Sequence, residues 1–154
     1  MMLFVFSLIL APVTACCISE APSTKCRARW TYFGGSCYGF ADVPLTWYQA
    51  AASCISHGAH LAEIESYEEN NWLVKRLRAT NFGSVWIGGS EVTARGQYVW
   101  AYSGRPITFS DWWHGYPCCD PEDCVELRAE YDYKWNDWHC GNVVNRYVCE
   151  TRPI

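Results

Sequence analysis

The side chains in this sequence that could do chemistry are dominated by sulfur. Ten cysteines stand at positions 16, 17, 26, 37, 54, 118, 119, 124, 140 and 149. Thiolates can hold a metal or attack a substrate, and thiols can pair as disulfides. There is no Cys-x-x-Cys pair and no zinc-finger spacing. The four histidines, His57, His60, His114 and His139, form no metal-binding helix motif, because Gly58 separates the first two. An even number of cysteines in a short chain points to disulfides if the chain meets an oxidising compartment. Glu63 and Glu65 alternate along the chain, and such an exposed pair reads as solvated surface rather than as a glycosidase couple. With no nucleophile beside a base and no phosphate-binding loop, the sequence is expected to bind rather than to catalyse.

The first residues supply the compartment. Residues 1–15 read as a secretory signal peptide: Leu3 to Leu10 is an apolar block, and Val13-Thr14-Ala15 places small residues before a cut after Ala15. That block is too short to cross a bilayer, and no other stretch approaches the roughly 20 apolar residues of a spanning helix. The product is therefore expected to be secreted and extracellular, with no membrane insertion. A length of 154 residues suits one domain. Nine Trp, ten Tyr and six Phe in a chain that is 50% hydrophobic and 18% charged can build a core, which excludes disorder and coiled coil. The net charge is −4 with no run of Lys or Arg, so nucleic acid is not an expected partner.

Local patterns divide the rest of the chain. Arg29 to Phe40 surrounds Gly34-Gly35 with aromatic, hydroxyl and small residues, which predicts a hairpin whose turn needs positive φ. Thr46 to Gln49 is a capping box, followed by Trp47, Ala50, Ala51 and Cys54 at helical spacing, with Gly58 as the stop. Ser66 to Glu69 is a second capping box, and Trp72, Leu73 and Leu77 continue a helical apolar face to about Thr80. Beyond Asn81 short strand-like pieces follow, at 85–88, 97–101, 124–127 and 146–150, separated by Gly, Pro and Asp.

In order and spacing, a series of motifs now resembles the C-type lectin domain family. They are Cys37-Tyr38, Trp47 with Ala50 and Cys54, His60-Leu61-Ala62, Trp86-Ile87-Gly88-Gly89, Trp112, Pro117, Cys124-Val125-Glu126-Leu127, Trp135-Asn136-Asp137, Cys140 and Tyr147-Val148-Cys149-Glu150. The resemblance covers the lectin domain (26–150), so the chain divides into signal peptide (1–15), N-terminal segment (16–25), that domain and a tail (151–154). It implies an α+β fold, with two helices packed on antiparallel β-sheets, a long loop region and the N-terminal hairpin disulfide of the long form. Three bridges are implied: Cys26 with Cys37, Cys54 with Cys149, and Cys124 with Cys140. Two adjacent pairs remain, Cys16-Cys17 and Cys118-Cys119. Neighbouring Cα atoms lie about 3.8 Å apart, below the roughly 4.4 Å of a relaxed disulfide, so each sulfur should look elsewhere. Either the N-terminal pair bonds the loop pair, within one chain or between two, or Cys16 and Cys17 join two chains as a disulfide-linked homodimer.

The resemblance also implies a site where calcium is held by oxygen ligands and the adjacent hydroxyls of a sugar complete its shell. Asn136 and Asp137 match the family's ligand pair, and Glu122 matches its carboxylate ahead of Cys124. Two further ligands normally flank the proline, which is usually cis. Here the triplet is Tyr116-Pro117-Cys118, and neither a phenol nor a disulfide sulfur suits so hard a cation. Asp120 can compensate, and Ca2+ binding is expected to be weak, with an affinity of roughly 10⁻⁴ to 10⁻³ M. Trp113, His114 and Tyr116 cluster beside the loop, where an aromatic face can either stack on the apolar side of a sugar or pack the loop. Zinc is not expected. The sequence thus predicts a calcium-assisted binder of glycans, possessing the carbohydrate-binding residues Trp113, Tyr116, Pro117, Glu122, Asn136 and Asp137 and a setting in innate immune recognition. The alternative is a calcium-independent module that binds a protein or a mineral.

Overall fold

The computed structural model describes residues 23–91, 97–118 and 123–154, with Asp123 described by its backbone alone. The predicted signal peptide, Cys16, Cys17, Cys119, Asp120 and Glu122 lie outside the described residues. The hairpin forms from β1 (Thr31–Phe33) and β2 (Ser36–Leu45), with Phe33 opposite Ser36. Gly34 and Gly35 both have positive φ, 57° and 98°, as a tight two-residue turn requires.

Helix α1 (Trp47–Ser56) begins at the predicted capping box: the Thr46 side chain accepts from the Gln49 amide, and the Gln49 side chain accepts from the Thr46 amide. Its stripe of Trp47, Ala50 and Cys54 is buried. Strand β3 (His60–Leu61) follows, then α2 (Tyr67–Thr80).

The second capping box forms only by half. Ser66 accepts from the Glu69 amide at 3.1 Å, but the Glu69 carboxylate accepts instead from the Glu65 amide at 2.9 Å and the Tyr38 hydroxyl at 2.6 Å. A phenol buried on β2 needs an acceptor, and Glu69 supplies one. Burial pushes the Glu69 carboxyl up to about 7, against the pull of the Tyr38 and Glu65 hydrogen bonds, with Glu150 and Glu65 adding repulsion. A carboxyl whose folded pKa lies above its unfolded value contributes stability that is full below about 4.5 and lost as the pH rises through about 7. The Tm of the parent minus that of Glu69→Gln is therefore expected to increase as the pH falls from about 8 to about 4.5. Scanning calorimetry across that window checks it, and a constant difference contradicts it.

Strands β4 (Val85–Ser90), β5 (Val99–Trp100), β6 (Asp123–Arg128), β7 (Lys134–His139) and β8 (Asn145–Thr151) complete one eight-stranded sheet. Its order is β1-β2-β8-β4-β6-β7, with β3 on β8 and β5 on β4. Every pairing is antiparallel except β4 beside β8. Gly88 lets β4 pass close to β3; a Cβ there would meet the Leu61 carbonyl oxygen at 2.8 Å. A short 3-10 turn, Ala129–Tyr131, follows β6.

The three implied disulfides are present, Cys26–Cys37, Cys54–Cys149 and Cys124–Cys140. Trp86, Trp100 and Trp135 are fully buried, and Trp112 packs half-buried against the same core. Buried indole N–H groups need acceptors. Trp47 donates to the Ile87 carbonyl at 2.8 Å, Trp86 to the Leu45 carbonyl at 3.0 Å and Trp135 to Asn70 Oδ1 at 2.9 Å. The segment before the hairpin meets the segment after β8: the Ile154 amide donates to the Lys25 carbonyl at 2.9 Å. Among the described residues no helix is long and apolar enough to cross a membrane.

Candidate functional site

The site is built on β7. Its Trp135 anchors in the core through Asn70, whose own amide donates to Asp111 Oδ2 at 2.9 Å. Asp111 also takes Lys134 Nζ at 2.5 Å. The segment that carries these contacts is laid along β7 by two backbone bonds, Trp135 N to Asp111 O at 2.9 Å and Trp113 N to Trp135 O at 2.8 Å. The approach to the proline triplet is thereby fixed against the strand that bears Asn136 and Asp137.

Asn136 and Asp137 sit on a paired strand. Lys134 to His139 pairs residue by residue with β6, so Asn136 lies opposite Glu126 and Asp137 opposite Val125. Both side chains are buried, at 0% and 7% exposure. Asp137 Oδ2 accepts from the Tyr98 hydroxyl at 2.8 Å and from the Cys118 amide at 3.0 Å. Cys118 thus joins the site through its backbone. The Tyr116–Pro117 peptide is cis, as the resemblance implies.

Asn136 Nδ2 donates to Glu126 Oε1 at 2.8 Å and to the Asp137 carbonyl at 3.1 Å. Two oxygens are left over. Asn136 Oδ1 and Asp137 Oδ1 are buried and have no hydrogen-bond partner among the described residues. A buried acceptor without a donor costs on the order of 1–3 kcal/mol, which a hard cation would offset. An amide oxygen and a carboxylate oxygen are ligands of the kind calcium takes, so these residues fit the ion. Among the described residues no three His, Cys, Asp or Glu side chains form a metal cluster. The expected carboxylates Asp120 and Glu122 lie outside those residues, as does any bond from Cys118 to Cys16 or Cys17.

The aromatic residues beside the loop gather around Tyr131. Trp113 is 41% exposed and stacks on Tyr131, with ring centres 5.0 Å apart and planes 13° from parallel. Tyr116 lies against the same Tyr131 ring at 6.1 Å, and a hydrogen bond to Tyr131 holds its phenol above the ordinary value. Arg128 covers Tyr131 at 5.4 Å and Trp138 at 4.4 Å. His114 is exposed in the same segment.

Sequence reasoning missed Tyr98, Tyr131 and the partner role of Glu126. An acid inside the apolar run Cys124 to Leu127 was the available signal, since a buried carboxylate must have partners. One expectation is corrected. Glu63 is 5% exposed rather than solvated, because Arg105 and the Ser103 amide hold its two oxygens at 3.2 and 2.9 Å. Glu65 stays half-exposed on the same arginine. These residues line a cleft of about 900 Å³ with His60, Tyr102 and Glu150, which includes nothing from β7 or the triplet.

Residues 43–151 match the Lectin C-type domain. The alpha-N-acetylgalactosamine-specific lectin of Patiria pectinifera is 34% identical over 158 residues, covering 94% of this chain and 92% of that protein. The structure of SPL-1 in complex with GlcNAc is similar at a TM-score of 0.76 and 32% identity, over 88% of this chain and 98% of that one. A calcium-independent type II antifreeze protein is similar at 0.73 and 29% identity, over 88% and 99%. With the bridges, the cis proline and these matches together, the chain belongs to the C-type lectin domain family.

Proposed function

We propose that this protein is a secreted lectin that binds glycans with the help of calcium, held by Asn136 and Asp137 together with Glu122 and Asp120. The observation that supports this best is the pair of buried oxygens, Asn136 Oδ1 and Asp137 Oδ1, left without donors among the described residues. Calcium, when bound, supplies open coordination positions that two neighbouring sugar hydroxyls can enter. Asp137 is oriented by its bonds to Tyr98 and Cys118, and its carboxylate accepts hydroxyl protons. Asn136 contributes an oxygen only, since Glu126 and the Asp137 carbonyl engage its amide hydrogens. The chain's role is binding, not catalysis.

Trp113 offers the sugar an apolar face, held flat by Tyr131. Replacing it with alanine is expected to weaken glycan binding about two- to tenfold, the size of one aromatic contact of roughly 0.5–1.5 kcal/mol. Calcium affinity should not change. Parallel glycan and calcium titrations of Trp113→Ala check both parts, and unchanged glycan affinity contradicts the stacking role.

The relatives named above suggest the probes, N-acetylgalactosamine and N-acetylglucosamine. A glycan array carrying both, run in CaCl₂ and again in EDTA, tests the proposal; binding is expected in the first and lost in the second. The Tyr116-Pro117-Cys118 triplet, with no carboxylate or amide side chain, favours a second reading as a calcium-independent binder of a protein or mineral. Binding that survives EDTA at full strength supports that reading and rejects the first.

A further inference from the structure

We infer that Glu126 is a positioning residue for the calcium site, which turns the Asn136 side chain so that its oxygen, not its NH₂ group, is offered to the ion. The inference rests on the calcium-assisted reading. It begins with a property of asparagine: the torsion that decides which end of the amide faces which way is broad and nearly two-fold, so nothing within the residue chooses. The choice must come from its surroundings. Glu126 stands directly opposite Asn136 in the β6–β7 register and is 1% exposed.

Three donors converge on that carboxylate. Asn136 Nδ2 reaches Oε1 at 2.8 Å, an Arg128 guanidinium nitrogen reaches Oε1 at 3.1 Å, and Asn145 Nδ2 reaches Oε2 at 2.5 Å. Burial raises the Glu126 carboxyl, while Arg128 and the two amides oppose the rise. Surrounded by donors, Glu126 acts as an acceptor. An Asn136 turned the other way would set its carbonyl against a carboxylate in a buried site, losing a hydrogen bond and adding repulsion. The observed orientation also directs Nδ2 to the Asp137 carbonyl, which ties the two neighbouring residues together. Asn136 Oδ1 is what remains unpartnered among the described residues.

Outer partners that orient a metal ligand are commonly worth about 10- to 100-fold in metal affinity. Glu126→Asp keeps the charge but withdraws the carboxylate by one methylene, and Glu126→Leu keeps a similar bulk but removes both acceptor oxygens. Asn145→Ala disturbs the same buried network without touching Asn136. Calorimetric titration of the full chain with CaCl₂ is expected to show affinity reduced about tenfold or more in both Glu126 variants. Asn145→Ala should stay within about twofold of the parent, although its Tm falls. Having two Glu126 variants guards against one that fails to fold.

Side-chain NMR of the calcium-free protein supplies a readout that does not depend on the ion. The Asn136 amide hydrogens are expected to exchange slowly in the parent and faster in both Glu126 variants. Unchanged calcium affinity in Glu126→Asp and Glu126→Leu overturns the inference, and so does unchanged exchange at Asn136. Equal losses in Asn145→Ala also overturn it, because they mark a merely structural role. A parent that takes up no calcium is a separate failure, that of the calcium reading, and it is recognised by a flat parent titration.

Discussion

Replacing Cys54 and Cys149 together with alanine is expected to lower the Tm by about 10–20 °C. The bridge spans 95 residues, so in the chain-entropy picture its loss costs on the order of 4.7 kcal/mol. A domain of this size loses about 2–4 °C per kcal/mol. Packing adds to the effect. Cys54 lies on the buried stripe of α1 and Cys149 on β8, which sits between β2 and β4 in the sheet. The Cys26–Cys37 bridge closes only 11 residues at the first hairpin, so its removal should cost roughly 3 kcal/mol by the same relation. Scanning calorimetry of the two double variants checks the order. A larger loss from the hairpin bridge contradicts it.

The second large effect is chemical. Asp137→Asn is expected to weaken calcium binding by about a hundredfold or more, since affinity at such sites follows the number of charged ligands. The substitution keeps the shape of the side chain. Its remaining amide oxygen can still accept from the Cys118 amide, so the Tm in EDTA should move by only a few degrees while the calcium-induced rise in Tm disappears. Glycan binding in calcium should be lost with it. Thermal shift in CaCl₂ and in EDTA separates these outcomes, and an undiminished calcium-induced rise would exclude Asp137 as a ligand.

What could be read from the sequence was what neighbouring residues decide. Thr46 and Gln49 cap α1 across one turn, and Gly34-Gly35 makes its hairpin within four residues. Such signals survive without knowledge of the rest of the fold. The cysteine pairing became legible only through a family resemblance, because spacing alone leaves many connectivities open. The cis peptide before Pro117 was expected on the same ground.

The misreadings share a physical cause, a partner distant in sequence. Glu69 turns from its cap to Tyr38, 31 residues away, and Glu63 is drawn inward by Arg105, 42 residues away. Neither partner is visible in a local window. Strand β7 escaped notice because the polar pair Asn136-Asp137 breaks the apolar alternation that marks a half-buried strand. Its burial is tolerable through long-range partners, Glu126 for one residue and Tyr98 for the other. Beside those bonds, Asn136 Oδ1 and Asp137 Oδ1 stay without a donor among the described residues.

A calorimetric titration of the purified chain with CaCl₂, repeated in the presence of a glycan that the array retains, tests the proposed calcium site most directly. One ion per chain at a Kd of roughly 10⁻⁴ to 10⁻³ M, tightened by the glycan, is the predicted result. No heat of binding up to about 10 mM CaCl₂, with glycan still bound, would contradict it.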